Sequence, residues 1–199
     1  MKLKGFIFKA LLLVVLLPIS AIAQTSAEWV AKLEEMYKNS SAVEITFTSE
    51  GRNFSMTLGP TTGSYKLTTP TEQFISDGKT IWHVFLKEKK VVIDSAAKSN
   101  INAKSLLDFS HNYNALKEGN TLTLFPNANI SSVFANAGNV NSISFNIDPT
   151  AKTFKIKSII ANSSRGDLKM LNVKIKPIKK APKFAYKAAK GFKVTDLRD

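Results

Sequence analysis

Along much of this 199-residue chain, apolar and polar side chains alternate one for one. A period of two is what a β-strand with one dry and one wet face requires. Val43, Ile45 and Phe47 alternate with Glu44, Thr46 and Thr48, and Phe54, Met56 and Leu58 with Ser55 and Thr57. Gly59-Pro60 and Thr61-Thr62-Gly63 form a turn before Tyr65 and Leu67. Asp77-Gly78, whose backbone must take positive φ, joins Phe74-Ile75 to the run Thr80 to Leu86. Lys87-Glu88 turns the chain into Val91-Val92-Ile93. The pattern resumes at Ile143, Phe145 and Ile147, turns at Asp148-Pro149, and continues through Phe154, Ile156 and Ile160. Ser163 to Asp167 turns again into Leu171, Val173 and Ile175, and a last pair is expected around Phe184-Tyr186 and Phe192-Val194. That makes about ten strands, connected as hairpins and therefore antiparallel.

Two segments carry a helical period instead. Thr25 and Glu28 have capping-box spacing ahead of Trp29, Val30, Leu33, Met36 and Tyr37. From Asn102 to Lys117, Leu106, Leu107, Phe109, Tyr113 and Leu116 read as a second helix, closed by Gly119 as its C′ residue. Residues 126–139, rich in Asn, Ala and Ser, read as a loop. The fold class is mainly β with α: a large antiparallel sheet that must curl at this size, with the helices as covers for its apolar face.

The N-terminus reads as an export signal. Lys2, Lys4 and Lys9 precede a short apolar run ending at Pro18, and Ala21-Ile22-Ala23 supplies the small residues a signal peptidase needs. The run is too short to span a bilayer. Residues 1–23 are thus expected to be removed, leaving a single domain over 24–199. The signal carries three lysines and no acid, so the net charge falls from +13 to +10. No cysteine is present, and Gln24 stands where a lipid-anchored protein would carry one.

The chemistry argues against an enzyme. His83 is expected on a strand and His111 on a helix, in no triad or metal-binding spacing, and there is no HExxH, GxSxG or P-loop. No cofactor or metal is implied. Nine lysines and no acid lie between Leu168 and Thr195. They fit either a solvated sheet face or docking to an anionic surface, either membrane headgroups or an acidic partner. Nucleic acid is disfavoured by export. The thirteen phenylalanines allow two readings, an ordinary core or an apolar cavity in an incompletely closed barrel.

Two motifs bear on that choice. Ser76-Asp77-Gly78-Lys79-Thr80-Ile81-Trp82 resembles the "SDGKTLW" hairpin of the outer-membrane lipoprotein carrier proteins, the LolA family. Lys183-Phe184-Ala185-Tyr186 followed by Lys190-Gly191-Phe192-Lys193-Val194-Thr195-Asp196 is similar to that family's closing "KFxFxxPxGVxVxD" pattern. The match is poor over residues 95–140. The resemblance implies an unclosed, strongly curved antiparallel half-barrel, with a lid of short helices enclosing an apolar cavity. It implies a monomeric periplasmic carrier of lipoprotein acyl chains, loaded by an inner-membrane lipoprotein-releasing transporter, delivering to an outer-membrane acceptor and touching membrane surfaces transiently. The expected cavity residues are Phe47, Phe54, Met56, Tyr65, Leu67, Phe74, Trp82 and Val84, with Trp29, Leu33, Leu106 and Phe109 from the lid. One departure is that Gly59, before Pro60, occupies the place of the family's lid-latching arginine. The alternative is a periplasmic binding or sensing module of the same fold for another lipid.

Overall fold

The computed structural model describes residues 25–98, 103–128, 130, 139–151, 153–180 and 182–198. The export segment expected at 1–23 and most of the loop expected at 126–139 lie outside the described residues. Strands β1 (Ala42–Ser49), β2 (Arg52–Leu58), β3 (Tyr65–Thr68), β4 (Glu72–Ser76), β5 (Thr80–Phe85) and β6 (Lys90–Ser95) form one meander. A second comprises β7 (Tyr113–Glu118), β8 (Thr121–Pro126), β9 (Val140–Ile147), β10 (Ile156–Ser163) and β11 (Gly166–Ile178). β12 (Lys193–Asp196) completes a single twelve-stranded sheet in the order 12-6-5-4-3-2-1-11-10-9-8-7. Its edges, β12 and β7, do not meet, so the sheet is unclosed.

Register decides which residues share a face, because directly opposed residues of an antiparallel pair point the same way. Val43, Ile45 and Phe47 oppose Leu58, Met56 and Phe54. Met56 opposes Leu67, and Leu67 opposes Phe74. In the second meander Ile159 opposes Phe145, which opposes Leu122. β1 and β11 join the two halves, with Ile45 opposite Ile175. A register shift in that ladder, between Thr46 and Thr48, faces Asn172, whose φ is 53°.

The helices lie on this inner face. α1 (Ser26–Glu35) starts from a complete capping box: Glu28 N–H donates to Thr25 Oγ1 at 3.2 Å, and Thr25 N–H to Glu28 Oε2 at 2.8 Å. Its buried stripe of Trp29, Val30 and Leu33 joins one core with Val43, Phe47, Leu122, Phe145 and Val173. Ala103 and Leu107 of α2 (Ala103–Leu107) and Phe109 of α3 (Phe109–Asn112) belong to the same core. Among the described residues no helix is long and apolar enough to cross a membrane.

Two expectations are corrected. The helix expected over 102–117 is two short helices followed by strand β7, in which Tyr113, Ala115 and Lys117 oppose Pro126, Leu124 and Leu122 of β8. Gly119, at φ 54°, therefore serves the β7–β8 hairpin and caps no helix. The apolar spacing ran across a helix-to-strand junction and imitated one continuous period. The second correction concerns the C-terminus, where residues 184–186 form no strand and β12 pairs in parallel with β6, Lys193 beside Lys90.

The parallel pair has a topological cause. β11 ends beside β1, since Ile178 opposes Ala42, whereas β12 lies at the far edge. The chain between them must cross the first meander. Along this crossing segment Phe184, Tyr186 and Ala188 are half-buried while Lys183, Ala185 and Lys187 are exposed. Phe184 approaches Gly59 at the end of β2, its Cε2 lying 3.4 Å from where a Cβ on that glycine would stand. The outer face carries a second apolar layer. Ile75, Val84 and Val91 are 2%, 0% and 1% exposed, yet they stand outside the inner core. Ile75→Ala should therefore cost about 3 kcal/mol in urea unfolding, comparable to Leu122→Ala on the inner face. A loss below about 0.5 kcal/mol, the range of ordinary surface sites, would show the outer face to be wet.

Candidate functional site

The inner face of β1–β5 brings together six of the eight expected cavity residues: Phe47, Phe54, Met56, Tyr65, Leu67 and Phe74. Phe47 and Phe54 stack with centroids 5.2 Å apart. Phe47 and Tyr65 are buried, but Phe54, Met56, Leu67 and Phe74 remain half-buried, so the strip is incompletely covered.

Trp82 and Val84 are not part of it. They oppose Ile75 and Gln73 on β4, and Ile93 and Val91 on β6, and so point to the outer face. Opposite Phe74 stands His83. Its ring lies between Phe74, at 4.0 Å, and Phe85, at 3.9 Å, and its Nε2 is 2.8 Å from Glu72 Oε2. Hydrophobicity favoured Trp82 for the inner face, whereas the register placed a histidine there. The signal lay in the turn. Ser76 and Ile81 enclose an even number of residues, which sets the even positions of β4 against the odd positions of β5.

The four expected lid residues all reach this core. Trp29, Leu33 and Phe109 are buried in it, and Leu106 packs against it half-buried. Phe109 is the hub, meeting Tyr37 at 6.2 Å, Tyr113 at 5.7 Å and Phe145 at 6.0 Å. Trp29 meets Phe154 edge-on at 5.7 Å, and Lys117 Nζ lies 5.0 Å from the Trp29 ring centre.

A few polar contacts hold the helices down. The Tyr37 hydroxyl donates to the Leu107 carbonyl, and the Tyr113 hydroxyl to that of Leu106. Burial, reinforced by the Glu34 and Asp108 carboxylates, raises the Tyr37 hydroxyl well above the ordinary phenol range, which keeps it a donor. Glu34 Oε1 accepts the Ser110 N–H at 2.8 Å. It thereby caps the first turn of α3, whose N-cap residue Asp108 makes no side-chain cap bond. Ala103 N–H donates to the Gly63 carbonyl at 3.2 Å, fastening α2 to the β2–β3 turn. Neither Glu34 nor Tyr37 stood out in the sequence as more than a helix residue.

Gly59 sits in that turn. A Cβ there would stand 2.5 Å from Thr62 Oγ1 and 3.3 Å from the Ser64 carbonyl oxygen, besides the approach of Phe184. A side chain at this position would require Thr62 to move.

Two grooves border the helices. One, of about 510 Å³, lies between α1 and the α2–α3 pair and is lined by the polar side chains of Glu34, Lys104 and His111 as well as Tyr37 and Leu107. The other, of about 360 Å³, opens between α1 and β7 against Ala27, Val30, Phe109, Tyr113 and Ala115, a mostly apolar wall. Among the described residues no three His, Asp or Glu side chains gather as a metal site.

No family model matches the chain, and no curated protein matches it. Among solved structures it is similar to an uncharacterized conserved protein from Thermus thermophilus, at 13% identity and a TM-score of 0.47, over 86% of this chain and 99% of that one. A likeness at that level carries no argument about function.

Two measurements probe the helix contacts. Tyr37→Phe should cost about 1 kcal/mol and selectively speed amide exchange in residues 103–112, leaving the sheet protected; unchanged exchange there would remove Tyr37 as a fastening. The exposed His111 is held above its ordinary pKa chiefly by its hydrogen bond to Asp108, at 2.6 Å. That pair stabilises the fold below the ordinary histidine pKa, and its contribution disappears as pH rises through the raised value. NMR titration should give a midpoint above 6.5 that falls toward 6.5 in Asp108→Asn.

Proposed function

We propose that the protein is a periplasmic carrier that shields lipoprotein acyl chains on the inner face of its sheet and ferries them from the inner to the outer membrane. The observation that carries this reading is the half-buried apolar strip Phe54–Met56–Leu67–Phe74, running without a polar break across β2, β3 and β4. The helices are the lid in this reading. Trp29, Leu33 and Phe109 on their undersides belong to the same core as Phe47 and Tyr65 beside the strip, and polar contacts at their ends hold them. The apolar seam between α1 and β7 is the place for chains to enter as the lid lifts.

The energetics give such a carrier its task. Each methylene exposed to water costs about 0.8 kcal/mol, so one acyl chain of roughly 16 carbons costs on the order of 12 kcal/mol. Lipoproteins therefore do not cross an aqueous space unaided. A carrier must bind them and also let go, and a lid shared between its own core and the cargo does both. Bound chains replace the contacts of Trp29, Leu33 and Phe109, so binding is weakened by the cost of displacing them. An inner-membrane transporter would load the carrier and an outer-membrane acceptor would unload it.

Photocrosslinking residues placed in cells at Met56, Phe74 and Trp82 test the reading. Adducts to lipoproteins are expected from Met56 and Phe74 on the inner face and not from Trp82 on the outer. Adducts from Trp82 alone would refute the inner-face site. Mass spectrometry of co-purifying lipid separates a carrier from a module of the same fold that binds another lipid. Deletion of the gene should leave lipoproteins in the inner membrane, and their normal arrival at the outer membrane, with no second copy present, would end the carrier proposal.

A further inference from the structure

The outer face of the sheet carries a groove of its own, around the bulge in β11. Thr46 opposes Lys174, but the register shift then sets Thr48 opposite Leu171, so Leu171 and Asn172 both stand on the outer side. Asn172 Nδ2 donates to Thr48 Oγ1 at 3.1 Å, and its φ of 53° is one that asparagine takes more readily than most residues. The groove holds about 430 Å³, the scale of a small-molecule site. Directly opposed pairs carry it across four strands: Lys174 with Thr46, Thr46 with Ser55, and Ser55 with Thr68. Asn53, opposite Thr48, lies beside this row. The crossing segment leaves the groove open, since Phe184 passes Gly59, beyond the far end of β2 from Asn53.

Apart from Phe47 and Phe54, whose rings stack on the inner face, the lining is four hydroxyls, two amides and one ammonium, with no carboxylate. Among the described residues, no protein group bonds the hydroxyls of Thr46, Ser55 and Thr68 or the Asn53 amide. The same face of the second meander behaves otherwise. There Thr121 Oγ1 donates to Asn146 Oδ1 at 3.0 Å, Asn146 Nδ2 donates to Ser158 Oγ at 2.9 Å, and the Thr123 and Ser144 hydroxyls lie 3.1 Å apart. The groove thus presents donors and acceptors together, unspent and nearly uncharged. An inorganic oxyanion would meet Lys174 but only accepts, leaving the acceptor oxygens unused. A saccharide does both through its hydroxyls. It also needs apolar contact for the C–H face of its ring, and Leu171, opposite Thr48 and 52% exposed, supplies that. Neighbouring strands stand about 4.8 Å apart, close to the length of one pyranose unit. Successive units of a chain laid across the strands would therefore meet equivalent hydroxyls.

We infer that the outer-face groove across β11, β1, β2 and β3 binds an extended, uncharged oligosaccharide, with Thr46, Asn53, Ser55 and Thr68 hydrogen-bonding its hydroxyls and Leu171 against a ring face. The inference stands apart from what the inner face holds, and its test needs no acyl cargo.

Cellotetraose and chitotetraose are titrated separately into the purified, isotope-labelled protein while its amide NMR signals are followed. Saturable shifts are expected with at least one of them, centred on residues 46–48, 53–55, 68 and 171–174. Thr46→Val and Thr68→Val keep shape and strand preference but remove a hydroxyl, and each should raise the Kd roughly five-fold, the worth of one hydrogen bond. Leu171→Ser should weaken binding by a similar factor. Thr123→Val removes a hydroxyl from the same face of the second meander and should leave the Kd unchanged. Urea unfolding of each variant separates lost binding from lost fold. No shift with either tetrasaccharide up to about 10 mM overturns the inference. It fails equally if the shifts centre elsewhere, or if Thr123→Val weakens binding as much as the groove variants do. Inorganic phosphate moving the same amides at a lower concentration than either saccharide would also overturn it, because the groove would then be an oxyanion site centred on Lys174.

Discussion

The ladder between β1 and β11 is the joint on which the molecule depends. Each meander can be built from short hairpins, but this pairing brings together residues no nearer in the chain than Thr48 and Leu171, 123 positions apart. It makes one surface out of two half-sheets. Ile45 and Ile175 meet across it, and the core formed on either side becomes continuous beneath the helices. The chain closes its longest loop here, an ordering that contributes nothing until the ladder forms, so the joint sets both the architecture and the slowest contacts to gain. The register shift at Asn172 bends β11 at this joint.

Everything over the inner face is held more lightly than the sheet itself. The sheet is secured by eleven strand pairings, whereas α1, α2 and α3 are short, of ten, five and four residues. Helices of that length have little stability of their own and depend on what they pack against. They are fastened by their buried stripe in the common core and by a few polar contacts around Tyr37, Glu34 and Ala103. In the proposed carrier, that contrast would set a sheet that stays in place against a helical cover that can lift.

Much of the wall was legible in the sequence because a period of two survives any uncertainty about strand ends. The Thr25–Glu28 capping box and the Asp77-Gly78 turn also stand in the structure where residue chemistry placed them. What was not legible depended on phase and partnership. Trp82 and His83 exchange faces through the parity of a turn, which composition does not report. Tyr113 to Glu118 became a strand because β8 was there to pair with it, overriding spacing that suited a helix. The C-terminal partner of β12 is a strand about a hundred residues upstream, and no local pattern announces a parallel neighbour. The candidate strip could be named residue by residue on β1 to β4, where each strand alternates cleanly. It was lost at β5, which is apolar on both faces.

The crossing segment between β11 and β12 ties the middle of the sheet to its far edge. It is anchored at one end by the Ile178–Ala42 pairing and at the other by the Lys193–Lys90 pairing, with Phe184 lodged near Gly59 on the way. Mechanically it acts as a tie rod across an arch. The strands from β1 to β6 are thereby joined twice, once through their own ladders and once through a covalent segment that shares no ladder with them. Among the described residues β7, the opposite edge, is instead held to α1, where the Lys117 N–H donates to Ser26 Oγ at 3.0 Å. The two edges of the sheet are thus secured by different ends of the chain, β12 by the C-terminal crossing and β7 by the first helix.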